Sequence, residues 1–169
     1  MHFQIGEKVV YPNQGVGTIE NISTRTFGSG FEQFYLLRLT CNSLTVMVPV
    51  AHVAHLGLRK VTRNGEVERV LSFLSTGRCD GCTDWKDRFK ENSEKMRSGG
   101  LLETAEVLKG LLLLQRNKPL SFREKKMLDR ARHMLITEIS ISRGLVESRA
   151  VDLLQKALGK AELHLPAAL

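Results

Sequence analysis

The sequence predicts an α+β chain of two domains: a small β-barrel over residues 1–62, then an all-α bundle of about five helices over residues 63–169. Two observations predict this. Up to about residue 60, the apolar residues come in short β-branched and aromatic runs divided by Gly, Asn and Ser, the pattern of strands and turns. From residue 63 they recur at three- and four-residue spacing, the period of an amphipathic helix.

The first half reads as follows. VVYP (9–12) is a short strand, and NQGVG (13–17) supplies turn chemistry. GTIENISTRTF (17–27) is a second strand and FGSG (27–30) a second turn. FEQFYLLRL (31–39) and LTVMVPV (44–50), divided by CNS, form a hairpin. So few strands must curl strongly to bury a core. Pro49 has no N–H and belongs at a strand end or an edge. LRKVTRNG (58–65) is the hinge between the halves, too short for a loose linker.

In the second half, Val67, Val70, Leu71 and Leu74 share one helical face within 65–75. Residues 83–96 form a second helix, capped by Thr83 or Asp84 and stopped at Gly99 and Gly100. Residues 101–115 form a third, ending before Pro119. Ser121 and Glu124 make a capping box in which each side chain can satisfy a backbone donor of the other residue. The helix they open runs to about Arg143, with Gly144 as its stop, and residues 147–159 make a fifth.

Composition narrows the function. Hydrophobic residues at 42% and charged residues at 25% are those of an ordinary globular protein. No apolar run approaches the ~18 residues of a membrane span. The amino terminus lacks the pattern of a signal peptide, and an odd number of cysteines argues against a disulfide scaffold. Together these predict a cytoplasmic protein. The net charge is +7, and its excess gathers in residues 86–132, with 13 Lys/Arg against 7 Asp/Glu. That concentration suits a surface that meets a polyanion, although mixed-sign helix faces can also be simply solvated.

Residues 77–92, GRCDGCTDWKDRFKEN, hold the C-x-x-C pair Cys79 and Cys82 and the single tryptophan, Trp85. C-x-x-C is half of a zinc site. No second pair exists, Cys41 lies in the other half, and His52, His55 and His133 lack matching spacing. No metal and no cofactor are therefore expected, with Cys79 and Cys82 as weak candidates for a partial metal site or thiol chemistry. Trp85 shares a stripe with Phe89, Asn92 and Met96 and so fits a core position. It equally fits a stacking position, because it lies in a first turn among Lys86, Arg88 and Lys90, and an aromatic held among cations can stack on any base. Further along, Arg123, Lys126, Arg130 and His133 make a basic face opposite Leu128, Ala131, Leu135 and Ile139. No recognition-helix signature and no P-loop, H-E-x-x-H or G-x-S-x-G motif occurs, so neither sequence-specific DNA reading nor enzymatic activity is expected.

Several stretches agree, in order, with one known family. GEKVVYPNQGVGTIENISTRT, LTVMVPV and GLRKV resemble the amino-terminal RNA polymerase-interacting domain of the CarD/CdnL family of bacterial transcription regulators. TDWKDRFKENSEKMRSGG and LSFREKKMLDRARHMLITEI resemble that family's helical DNA-binding domain. The similarity runs from about residue 3 to about residue 159. It implies a Tudor-like barrel that binds the polymerase β subunit, and a monomer placed on the nucleoid through polymerase. It also implies a helical domain on promoter DNA just upstream of the melted −10 region. Trp85 aligns with the family's tryptophan wedge, which stabilises the open complex. Arg25 falls where the family presents a basic contact to polymerase, with Phe27, Val46 and Pro49 as its expected neighbours and the 44–49 strand as an edge open to pairing. Met47 stands where some members carry arginine, so one polar contact is missing or replaced by an apolar one. The expected DNA contacts are Trp85, Lys86, Arg88, Lys90, Lys126 and Arg130. Two other classes fit the residues: a free-standing, non-specific architectural DNA-binding protein, and a metal or thiol protein built on C-x-x-C.

Overall fold

The computed structural model describes residues 2–79 and 84–169. Its contacts divide the chain into two compact units, Met1–Val61 and Thr62–Leu169.

The first unit is a five-stranded antiparallel sheet in the order β4-β3-β2-β1-β5. Its strands are β1 (Lys8–Tyr11), β2 (Gly15–Phe27), β3 (Gly30–Leu39), β4 (Thr45–Pro49) and β5 (Arg59–Lys60). The expected α+β layout is present; among the described residues β4 and β5 are the two ends of the sheet and do not pair with each other, and β5, only two residues long, pairs with β1. β5 also occupies part of the stretch expected to be hinge. A 3-10 turn at Val50–His52 and a short helix, α1 (Val53–Leu56), were not expected from the sequence. Their apolar spacing is too brief to show a period, and Gly57 ends α1 in the left-handed region.

The long β2–β3 hairpin closes over Gly28 and Ser29, with Phe27 opposite Gly30. Gly28 has φ +57°, which a side-chain-free residue adopts without steric cost. A bulge between Ile19 and Asn21 adds local bend to β2. It keeps Ile19 buried, while Glu20 pairs with Arg38 at 3.0 Å on the surface. The core of this unit includes Phe3, Val9, Ile19, Tyr35, Leu37 and Val48. The Tyr35 hydroxyl accepts the Phe3 N–H at 3.0 Å, so the one polar atom of that buried ring is satisfied.

The second unit holds α2 (Asn64–Thr76), α3 (Trp85–Ser98), α4 (Leu101–Asn117), α5 (Phe122–Arg143) and α6 (Glu147–Gly159). Helix α4 packs against α2, α3 and α5, and α6 packs against α2 and α5. Leu108, Leu111, Leu135, Ile139, Leu154 and Leu158 are fully buried among them. Each such side chain contributes about 1.5–3 kcal/mol of burial free energy. The expected stops at Gly99 and Gly144 are present as left-handed caps, with φ +75° and +65°. The Thr62 N–H and hydroxyl both donate to the buried Glu138 carboxylate, and the Ser142 hydroxyl donates to the Thr62 carbonyl, so the first residue of the unit is tied to α5. No helix among the described residues is long and apolar enough to cross a membrane.

Candidate nucleic-acid and protein interfaces

Helices α3 and α5 begin alike. Each opens on a polar cap followed at once by an aromatic residue: Asp84 then Trp85, and Ser121 then Phe122. The Asp84 carboxylate accepts the Lys86 N–H at 3.1 Å, and the Ser121 hydroxyl accepts the Glu124 N–H at 3.2 Å. A residue in the first turn can project past the helix end instead of lying on the packed face. Trp85 is 61% exposed and Phe122 70% exposed, so both rings face solvent. The stripe that suggested a core tryptophan exists, but it runs outward: Met96 is buried, Phe89 half-buried and Trp85 exposed. Lysines lie over both exposed rings, Lys86 at 5.6 Å from the Trp85 centroid and Lys126 at 4.6 Å from that of Phe122.

The two helix starts meet. The Arg88 guanidinium reaches the Glu124 carboxylate at 3.4 Å, and the Arg123 guanidinium lies 4.3 Å from the Phe89 ring centroid. The adjoining helix starts therefore carry two exposed aromatic rings with Lys86, Arg123 and Lys126 about them, and Lys90, Arg130 and His133 are exposed further along the same two helices. Both amino termini are capped by their own side-chain oxygens and carry an acidic residue in the first turn, Asp87 or Glu124, so the attraction for phosphate rests on the Lys and Arg side chains.

Arg88 departs from its expected place. Its side chain is 12% exposed and its partner Glu124 13% exposed, so this charge is turned inward and bridges α3 to α5. The Glu124 carboxylate takes the Ser121 hydroxyl at 3.0 Å as well as Arg88, so the capping box is drawn into a connection between helices. Sequence reasoning left Phe122 out of the site. The signal was available in its position directly after a capping serine, four residues before Lys126.

On the sheet, strand register sorts the expected polymerase contacts. Val48, Tyr35 and Leu37 point to the core. Alternation along each strand then puts Arg25, Phe27, Phe34, Met47 and Pro49 together on the opposite face. Phe34 lies opposite both Ser23 and Pro49, and its ring is 6.3 Å from that of Phe27. Val46 does not belong to this face: it packs against the core beside Leu37. Phe34 was missed, although inward Tyr35, Leu37 and Leu39 imply that it points outward. β4, which carries Met47 and Pro49, is an edge strand.

Cys79 is half-buried, whereas Cys82 and the alternative cap Thr83 lie outside the described residues. Among the described residues no three His, Cys, Asp or Glu side chains are grouped to hold a metal ion.

Comparison with known proteins agrees over both units. Residues 3–62 match the CarD-like/TRCF RID domain, and residues 69–155 match the CarD C-terminal domain. A Bacillus subtilis (strain 168) protein, provisionally named transcription factor YdeB, is 35% identical over 147 residues, which cover 87% of this chain and 96% of that protein. A solved structure, CdnLNt from Myxoccoccus xanthus, is 36% identical over 36% of this chain and 86% of its own, with a TM-score of 0.31. The order of the two domain matches, and a relative aligned over nearly its whole length, place the chain in the CarD family of transcription regulators.

Proposed function

We propose that the chain binds the RNA polymerase β subunit through the outward face and β4 edge of its sheet, and stabilises the promoter open complex with Trp85. The observation that carries this reading is Trp85 itself: a tryptophan 61% exposed at a helix amino terminus, with Lys86 over its ring. An exposed ring of this size has no packing role to explain it. Lys86, Lys90, Lys126 and Arg130 place the helical unit on phosphates without reading sequence. Arg88 acts one step back, holding α3 against α5. Phe122 supplies a second ring for the same DNA surface.

Tethering to polymerase gives a weak DNA module a high effective concentration. Trp85 then favours open over closed DNA, because insertion needs unstacked bases and the melted promoter already provides them. Only such differential affinity moves the equilibrium. One aromatic–base stack is worth ~1–3 kcal/mol, which lengthens open-complex lifetime roughly 5- to 150-fold. Trp85→Ala is therefore expected to leave the melting temperature nearly unchanged and polymerase binding intact, and to shorten open-complex lifetime by that factor. Thermal unfolding paired with open-complex dissociation on one promoter measures both. A large loss of stability with a normal lifetime per folded molecule restores the core reading. Equal effects with and without polymerase favour a free-standing architectural protein.

A further inference from the structure

We propose that the cleft between α2, the carboxy-terminal end of α5 and α6 binds a phosphorylated small molecule of nucleotide size. The cleft has a volume of about 610 Å³, within the range of small-molecule sites, and a second depression of about 370 Å³ adjoins it along α6, sharing Glu68, Arg143, Leu153 and Lys156. This inference does not depend on the polymerase reading.

Charge and shape select the ligand. Arg149 and Lys156 on α6, and Lys160 just beyond it, fall at i, i+7 and i+11 and line these depressions. At 1.5 Å per residue they form a row ~16 Å long on one helical face. Among the described residues none of the three is in an ion pair. The Arg143 guanidinium, by contrast, is engaged by Glu68 and forms a fixed wall. Leu145 and Leu153 give the cleft an apolar surface on which a flat base can rest. A cationic row beside an apolar floor suits a phosphate chain joined to a base or a similar apolar body.

Extended nucleic acid fits this cleft less well. The depression is open to solvent, and of its carboxylates Glu68 is engaged by Arg143 while Asp152 lies between Arg149 and Lys156, which breaks the row against a long polyanion and leaves Lys156 and Lys160 for a short phosphate group. It is also separate from the Trp85 surface. Glu124 and Arg123 belong to the start of α5, whereas Ser142 and Arg143 end it, and the 22 residues of α5 span ~32 Å. No residue lines both.

The test is titration of the full chain with ATP, GTP, tripolyphosphate and adenosine, without added metal, followed by calorimetry and by amide chemical shifts. ATP or GTP is expected to bind more tightly than tripolyphosphate or adenosine, with shifts at residues 64–68 and 142–156. Arg149→Glu with Lys156→Glu is expected to weaken this at least tenfold, and Lys126→Glu to leave it unchanged. Should the double variant fail to fold, Lys160→Glu alone is expected to weaken binding several-fold. Absence of binding at millimolar nucleotide overturns the proposal. So does loss of binding in Lys126→Glu equal to that in the cleft variants, which assigns the anion to the other basic surface. Tripolyphosphate binding as tightly as ATP overturns the nucleotide assignment.

Discussion

Lys109 sits in the middle of α4 and is only 3% exposed, an unusual place for an ammonium group. Its Nζ donates to the Phe73 carbonyl at 2.8 Å and the Gly77 carbonyl at 2.6 Å, and lies 5.2 Å from the Phe73 ring centroid. The side chain thus closes the end of α2, where helix carbonyls lose their internal partners. Burial pulls the lysine pKa below its usual value, against an opposing contribution from the neighbouring Cys79. Lys109→Met keeps most of the volume and removes the donors. It is expected to cost about 1–3 kcal/mol, because the Gly77 carbonyl loses its ammonium partner. The pH dependence has a definite sign. Between the lowered folded value and the unfolded value of 10.5, the unfolded chain holds more protons at this site. Wild-type stability therefore gains with rising pH in that window, and its lead over Lys109→Met widens. Denaturant melts of both proteins at several alkaline pH values check this, and a narrowing lead contradicts the direction given by burial.

At the scale of elements, the relation of α3 to its neighbours decides the DNA surface. Lys95 reaches Glu106 of α4 at 2.9 Å and Glu91 of its own helix at 3.6 Å, so the carboxy-terminal half of α3 is held to α4. Nearer the start of α3, the hold is the Arg88–Glu124 pair. Removing one partner of a nearly buried pair leaves an uncompensated charge, so Arg88→Met is expected to cost on the order of 3 kcal/mol. Arg88→Met with Glu124→Leu is expected to recover most of that, since apolar residues of similar volume often replace a buried pair without loss. Chemical denaturation of the two single variants and the double variant measures the coupling. If Arg88 instead serves on phosphate, Arg88→Met leaves stability unchanged and lowers the salt slope of DNA binding by about one.

At the scale of the whole molecule, the chain carries two separate cores. Among the described residues, nine buried side chains make the cluster in the sheet unit and twenty-two make the cluster in the helical unit. Units near 60 residues are marginal, because they bury only ~60% of the surface their unfolded chain exposes. Residues 62–169 expressed alone are therefore expected to unfold at higher denaturant than residues 1–61 alone. Arg25→Glu is expected to weaken β-subunit binding equally in the full chain and in residues 1–61, with only a small fall in the unfolding midpoint from the like charge it sets opposite Glu32. Arg25 is exposed and stands opposite Glu32, so it has little folding role to lose. Unchanged affinity in a folded Arg25→Glu protein removes this residue from the interface.

Periodicity and capping are local properties, and they were legible along the chain. The change from short apolar runs to helical spacing separated strands from helices along the chain. Asp84, Ser121, Gly99 and Gly144 marked helix ends because each acts on backbone within a few residues of itself. The motifs in order were also enough to show the resemblance to the family. Direction and partnership were not legible, since they depend on what arrives from elsewhere in the chain. Arg88 and Lys90 are both cations on one helix, yet Arg88 is drawn inward because a carboxylate 36 residues later meets it. Lys109 reads as a solvated charge interrupting an apolar helix until the end of α2, 32 residues earlier, is placed against it. Val46 and Met47 are neighbours in an apolar strand, and only pairing with Leu37 and Leu36 assigns one to the core and the other to the opposite face. The Trp85 stripe ran from solvent to core because α3 buries Met96 near its end and leaves its first turn uncovered. A period shows which residues share a face, but only the packed helices and paired strands decide what that face meets.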